Sequence, residues 1–344
     1  MGTVELERFA LETLLGFGAD YEVHAAKDRE TGQQVVVRRP KPTDISRGWH
    51  HRVNALSERI IDMHNGVGES VGNIAHLIGY ANLPQNDSYF GDSYVEEYLV
   101  LVEDRAVGIP LVADIRDKFL GAAIGLGQNL FALYTLVPHP KEGAYAVCNQ
   151  LLKIGEKFHE AGYLLLDMRP QNVYFDPLNG QITVIDFSAI LFEGEKGKKG
   201  EDRGINDFFL ELLKFYVTPL DPPSSVADYQ GVFGMRPAIS LDEEVRSLKM
   251  AFSSVSNSDL REAGITMLDN IQSRRYDEFK MFDADFSRYL DILSEHRKTL
   301  PNLGSFTCTW ETALELLSGD YWGKYIFDST SDLSCYQRAL RLKK

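Results

Sequence analysis

The stretch LLLDMRPQNVYFD, Leu164 to Asp176, is followed by VIDFSAI, Val184 to Ile190. Asn172 comes five positions after Asp167, and Asp186 comes fourteen positions after Asn172. Apolar, β-branched and aromatic residues surround these polar side chains, and burying carboxylates and amides in such surroundings is costly unless they bind something. The pattern therefore predicts that Asp167, Asn172 and Asp186, carried by a short pair of strands, converge on one point.

Phosphoryl transfer to a hydroxyl requires a base, oxygen ligands for Mg²⁺ and a cation near one point. The stretch provides Asp167 as the base and Arg169 as the cation, with Asn172 and Asp186 as ligands of Mg²⁺ or Mn²⁺. The alternative is that Asp167 and Asn172 cap turns and that Asp186 ends a strand. We favour a nucleotide site, because a glycine pair and a strand-end cation occur upstream.

The glycine pair is Gly16 and Gly18 in LLGFGADYEV, between two strand-like runs. Glycines allow backbone N–H groups to approach a phosphate closely, although a Gly-x-Gly in a hairpin is usually only a turn. The cation is Arg38, at the end of the apolar run VVVRRP. A helix predicted from Gly48 to Met63 carries Glu58, which we expect to orient Arg38 unless it is simply a solvated residue.

The order of the predicted elements indicates the fold class. The first hundred residues favour strands, whereas helical spacing dominates from Asp114 onward. We therefore expect an α+β fold with two lobes and a seam near Asp104 to Pro110.

Composition excludes several classes of partner. The 344 residues carry a formal net charge of −14, which argues against nonspecific nucleic-acid binding and against a polybasic membrane contact. The chain has no run of 18 apolar residues and no evident signal peptide. Its three cysteines form no metal spacing and no disulfide framework, which suits the cytoplasm.

With these residues in hand, the chain resembles the protein kinase family from about Leu14 to Val217. GFGADYEV is similar to the glycine-rich loop, VVVR to V-A-I-K, GYLLLDMRPQN to the catalytic loop, and IDFS to D-F-G. DRGINDFFLELLKF is similar to the D-x-W-S-x-G helix, with Asp202 at its start.

The resemblance implies one domain with a bilobal fold, comprising a small β-rich N-lobe (about 1–104), a hinge (103–108) and a larger helical C-lobe (about 109–344). It implies ATP bound by Gly16, Gly18, Val23, Arg38 and Glu58. Val102 would then be the gatekeeper, and the backbone from Glu103 to Arg105 would meet the adenine.

Several departures keep more than one function open. Arg38 replaces the usual Lys, Tyr21 the third glycine and Leu166 the usual Arg, and sixteen positions separate Asp186 from Asp202. The first expectation is an atypical kinase that transfers the γ-phosphoryl group of ATP to Ser or Thr of a protein or of itself. The second is a pseudokinase that binds a nucleotide or a protein partner, with 119–140 and Val217 to Ala238 as candidate surfaces. The third is a small-molecule kinase of the aminoglycoside or choline type.

Overall fold

The computed structural model describes residues 2–110, 144–176, 181–192, 194–197, 200–217 and 240–299. The chain has an α+β fold and divides into two compact units, Met1–Ala106 and Val107–Lys344, called here the N-terminal and the C-terminal unit. The candidate partner surface 119–140 and nearly all of the second one lie outside the described residues.

The N-terminal unit contains a five-stranded antiparallel sheet with the strand order β1-β2-β3-β5-β4. Its strands are β1 (Phe9–Phe17), β2 (Tyr21–Asp28), β3 (Gln34–Pro40), β4 (Leu77–Leu83) and β5 (Tyr98–Asp104). Two helices, α1 (Pro42–Ser46) and α2 (His50–Val67), lie between β3 and β4 in the sequence. Helix α2 starts two residues later and ends four residues later than the helix predicted from its apolar spacing.

Alternation along the strands gives the sheet two different faces. Val35, Val37, Val100 and Val102 belong to an apolar core cluster on one face. Because successive side chains of a strand point to opposite faces, Arg38 and its cross-strand partner Leu101 lie on the other face. The sheet register therefore decides which charged residues can meet.

The C-terminal unit contains two small sheets and five described helices. A three-stranded sheet has the order β6-β8-β9, and β7 pairs with β10. The strands are β6 (Ile109–Pro110), β7 (Tyr163–Leu164), β8 (Val173–Asp176), β9 (Gln181–Val184) and β10 (Leu191–Phe192). The helices are α3 (Ala144–Glu160), α4 (Ile205–Tyr216), α5 (Leu241–Ser253), α6 (Ser258–Gln272) and α7 (Phe279–Lys298).

Helix α4 is the central helix of the C-terminal unit. Every residue from Asn206 to Tyr216 is buried, and α3, α5 and α6 pack against the helix. A helix that is mostly apolar on all sides is stable only when it is enclosed. Polar side chains of α4 are therefore held inside the unit. None of the helices in the described ranges is long and apolar enough to cross a membrane.

Candidate functional site

The stretch Leu164 to Asp176 comprises the end of β7, a loop and the whole of β8. Pro170 opens a 3-10 turn that ends at Asn172, and the Asn172 N–H donates to the Arg169 carbonyl over 2.8 Å. Proline suits this place because its fixed φ matches the first turn of a helix and its missing N–H is not needed there. The turn brings the chain back on itself between Asp167 and Asn172.

Hydrogen bonds bring Asp167, Asn172 and Asp186 to one end of the β8–β9 hairpin. The Asn172 side-chain Nδ2 donates to the Asp167 carbonyl over 3.0 Å. The Asn172 carbonyl accepts the N–H of Ile185 over 2.8 Å, which places Asp186 one residue beyond this contact. These two bonds place the three residues near one another at this end of the hairpin, within the C-terminal unit.

The side chain of Asn172 is oriented by its single donor bond. With Nδ2 bound to the Asp167 carbonyl, Oδ1 accepts no hydrogen bond from the part of the chain that the structure describes. An amide oxygen beside two aspartates is the hard donor set that Mg²⁺ prefers. No cluster of three or more His, Cys, Asp or Glu side chains that could hold a metal occurs among the described residues, so the amide oxygen would be needed to complete a ligand set.

Both predicted aspartates have a left-handed backbone. The φ angle is 63° at Asp167 and 61° at Asp186. For an L-residue this conformation costs about 1–2 kcal/mol, although Asp tolerates it better than most residues. Such conformations are kept when the surroundings over-determine them, and they concentrate at functional sites. The strain is an observation independent of the sequence motif.

Arg169 binds the carboxylate of Asp167 with two hydrogen bonds. Its Nη2 donates to Asp167 Oδ2 over 2.7 Å, and its Nε donates to Oδ1. A bidentate pair of this kind is among the stronger hydrogen-bonded contacts in proteins. The two residues that the sequence assigns as base and cation are thus in direct contact, and the proton-accepting oxygens of Asp167 lie beside a positive charge.

Asp186 is positioned by its neighbours in IDFS. Its Oδ1 accepts the N–H of Ser188 over 3.3 Å. The ring of Phe187 is buried and stacks on Phe158 of α3 at a centroid distance of 5.7 Å. This packing anchors the residue after Asp186 in the core of the unit.

The resemblance placed Asp202 at the start of the helix that is similar to D-x-W-S-x-G. In the structure the Asp202 side chain is 81% exposed, and the helix begins later, at Ile205. Instead, Glu211 accepts the Met168 N–H through Oε2 over 3.0 Å. A lone acidic residue within the apolar run FFLELL was the signal for this contact, because a buried carboxylate needs a partner.

In the N-terminal unit, Gly16 and Gly18 lie in the β1–β2 hairpin. Gly16 has φ 156°, and the Gly18 N–H donates to the Tyr21 carbonyl over 2.8 Å. Tyr21, which replaces the third glycine, is buried, and its hydroxyl lies 2.9 Å from Ser57 Oγ of α2. Tyr21 therefore joins the hairpin to α2 instead of adding flexibility to the loop.

Arg38 pairs with a different carboxylate from the one expected. Its Nη2 lies 2.6 Å from Glu103 Oε1, and its guanidinium packs over the Tyr21 ring at 4.7 Å. Arg38 is 5% exposed, whereas Glu58 is exposed on α2. The expected pairing with Glu58 is wrong because Glu103 lies on the same sheet face as Arg38 and Glu58 points to solvent.

The remaining residues that the sequence predicted to bind ATP are divided between the two faces of the sheet. Val23 is directly opposite Arg38 across the β2–β3 ladder. Val102 lies opposite Val37 and belongs to the apolar cluster on the other face, so the sheet separates its side chain from that of Arg38. Arg105 follows β5, and its Nη1 donates to Gln34 Oε1 over 3.2 Å.

Arg39 is a buried charged residue that sequence reasoning missed. It is 2% exposed, and its guanidinium binds Asp92 over 2.6 and 2.8 Å and Glu22 over 3.2 and 3.3 Å. The Phe90 ring covers the guanidinium at 4.2 Å. Asp92 and Phe90 belong to the β4–β5 connection, so Arg39 fastens that connection to the sheet. Arg38 and Arg39 are successive residues of β3 and therefore serve opposite faces, but only the tertiary structure shows which carboxylates they meet.

Comparison of the chain with models of protein families and with curated proteins finds no match. The site is therefore interpreted from its own geometry and chemistry.

Proposed function

We propose that this chain is an atypical protein-kinase-like phosphotransferase that uses ATP and Mg²⁺. The observation that carries the proposal is the convergence of Asp167, Asn172 and Asp186 at one end of the β8–β9 hairpin, with both aspartates in the left-handed conformation. Turn-capping residues alone would not require two strained carboxylates beside an amide oxygen with an open acceptor position.

The chemistry follows from the residues that converge. Asn172 Oδ1 and the Asp186 carboxylate would hold Mg²⁺, which when bound neutralises charge on the phosphates. Asp167 would accept the proton of the acceptor hydroxyl. The hydroxyl oxygen forms a bond to the γ-phosphorus while the bond from that phosphorus to the bridging oxygen breaks, and ADP leaves. Arg169, already paired with Asp167, orients this carboxylate and supplies positive charge nearby.

The N-terminal unit supports a kinase-like interpretation of the fold. Its five-stranded antiparallel sheet, a helix of 18 residues between β3 and β4, and a glycine-containing β1–β2 hairpin are compatible with the small β-rich lobe that the resemblance implies. We infer a bilobal kinase-like fold in which the Gly16–Gly18 backbone contacts ATP phosphates. The acceptor in this proposal is Ser or Thr of a protein or of the chain itself.

The test measures phosphoryl transfer from labelled ATP with Mg²⁺ or Mn²⁺ to protein acceptors and to the chain itself. Asp167→Asn should lower the rate by about 10²–10⁴-fold, the range expected for loss of general-base catalysis. Asp186→Asn and Asn172→Ala should remove the Mg²⁺-dependent part of the thermal shift caused by ATP. Asp202→Asn is the matched control, since it neutralises an exposed carboxylate of the same unit. If the wild type, Asp167→Asn and Asp202→Asn give the same signal, the chain is not a phosphotransferase.

One observation favours a second candidate, a pseudokinase that binds a nucleotide without transferring phosphate. The charge of Arg38 is already balanced by Glu103, and its guanidinium is covered on one side by Tyr21. A cation held in this way is less available to phosphates than the flexible ammonium of Lys. ATP stabilisation that is equal with and without Mg²⁺, and unchanged in Asp186→Asn, would favour the pseudokinase.

A further inference from the structure

Two side chains of α4 bind the backbone N–H and carbonyl of Met168, the residue that follows Asp167. Glu211 Oε2 accepts the Met168 N–H over 3.0 Å, and the Tyr216 hydroxyl donates to the Met168 carbonyl over 2.7 Å. Met168, Glu211 and Tyr216 are all buried. Both polar groups of one residue are thus bound by a single, fully enclosed helix.

These two bonds constrain two successive peptide planes. The Met168 N–H belongs to the peptide that joins it to Asp167, and the Met168 carbonyl belongs to the peptide that joins it to Arg169. When both planes are fixed, the backbone between Asp167 and Arg169 has little freedom to rotate. The orientation of the bidentate Asp167–Arg169 pair therefore depends on Glu211 and Tyr216.

Asp167 needs this support because of its conformation. With φ at 63°, its backbone would relax to a more common region unless contacts on both sides prevented it. Asn172 Nδ2 binds the Asp167 carbonyl from one side, and α4 binds the next residue from the other. A buried carboxylate on α4 is expensive compared with an apolar residue, which argues that its contact has a purpose beyond packing.

We propose that Glu211 and Tyr216 form a clamp on Met168 and act as positioning residues that set the orientation of Asp167 and Arg169 for phosphoryl transfer. This inference rests on the proposed function for its catalytic consequence. Its structural part, the control of the Leu164–Asn172 backbone by α4, stands without any activity.

The first experiment measures amide hydrogen exchange of the Leu164–Asn172 segment. Glu211→Met removes both carboxylate acceptors at similar volume, and Tyr216→Phe removes only the hydroxyl. Each should speed exchange of the segment by about two- to tenfold, the value of one lost hydrogen bond. Glu211→Gln keeps an acceptor oxygen and should preserve slow exchange. Tyr289→Phe is the matched control, since it removes another buried hydroxyl whose acceptor, 2.5 Å away, is the Val217 carbonyl.

The second experiment measures the kinetics of the same variants. Glu211→Met and Tyr216→Phe should lower kcat by about ten- to a hundredfold while the KM for ATP changes little, because misplacing a reacting group acts on the chemical step. Glu211→Gln and Tyr289→Phe should retain kcat. Unchanged exchange in Glu211→Met and Tyr216→Phe would overturn the clamp. If Tyr289→Phe loses as much kcat as these two variants, the positioning role of Glu211 and Tyr216 is overturned.

The two proposals fail in different ways. If wild-type protein transfers no phosphate, the proposed function falls and with it the positioning role. The exchange pattern of the four variants then still decides whether α4 clamps Met168. If transfer is observed and exchange is unaffected, the function stands and the clamp is rejected.

Discussion

Arg38 in the N-terminal unit and Asp167 in the C-terminal unit are both charged and paired, but their surroundings differ. Arg38 lies in a regular strand, with Glu103 on the neighbouring strand and the Tyr21 ring packed against its guanidinium. Asp167 lies in a loop with φ 63°, next to an amide oxygen with no hydrogen-bond donor in the described chain.

The difference indicates separate roles for the two regions. A charge pair on regular backbone, buried on the face of a sheet, mainly specifies the fold of the unit that contains it. Aspartates with a strained backbone, near an amide oxygen that accepts no hydrogen bond in the described chain, add little to stability and are suited to binding a ligand. The C-terminal unit is therefore where we expect the chemistry, and Arg38 is where we expect the larger cost in stability on mutation.

The largest expected effect is on the stability of the N-terminal unit. Glu103→Gln leaves the buried Arg38 without its neutralising charge, and the free energy of unfolding should fall by about 3–5 kcal/mol. Urea denaturation measures the change. Lys157→Gln, which breaks the exposed pair with Glu160, serves as the control and should leave the free energy of unfolding almost unchanged, because solvent screens exposed pairs. Similar losses in the two variants would show that the Arg38 pair is not a major source of stability.

A second effect depends on pH and belongs to the clamp. Burial raises the pKa of the Glu211 carboxyl from 4.5 to about 7, and the negative charge of Asp167 adds to the rise, whereas the Met168 N–H and Arg203 oppose it. The folded chain then binds more protons than the unfolded chain between these values, so stability falls as the pH rises from about 4.5 to about 7.

Glu211→Gln removes this titration. The measured quantity is the free energy of unfolding of the variant minus that of the wild type. Between pH 4.5 and pH 7.5 this difference should rise by up to about 3 kcal/mol. Denaturant unfolding of both proteins across this range measures the difference, in which the other titrating groups cancel. A difference that stays constant with pH would mean that Glu211 is ionised across the whole range.

The smallest effect distinguishes strained from regular backbone. Asp186→Gly and Asp186→Ala remove the same carboxylate, but only alanine retains the cost of φ 61°, so the glycine variant should be more stable by about 1 kcal/mol. On α2 the order should reverse, with Glu58→Gly less stable than Glu58→Ala by about 1 kcal/mol. Thermal unfolding of the four variants tests both. If Asp186→Ala equals Asp186→Gly, the strain is absent in solution.

The sequence alone determined the α+β class and most of the elements, and it predicted that Asp167, Asn172 and Asp186 lie at one end of a short pair of strands. Hydrophobic periodicity and turn residues act over a few positions, and a hairpin with two flanking polar positions allows few arrangements. The ends of α2 were misplaced by two to four residues because local spacing leaves the ends of a helix poorly defined.

The tertiary structure decided which partners the buried charged side chains bind. Arg38 with Glu103, Arg39 with Asp92 and Glu211 with Met168 join residues 65, 53 and 43 positions apart. These contacts depend on the strand register, which assigns every side chain to one face, and on the packing of α4 beneath the loop. Local sequence carries neither quantity, because both arise when distant segments compete for the same buried surface.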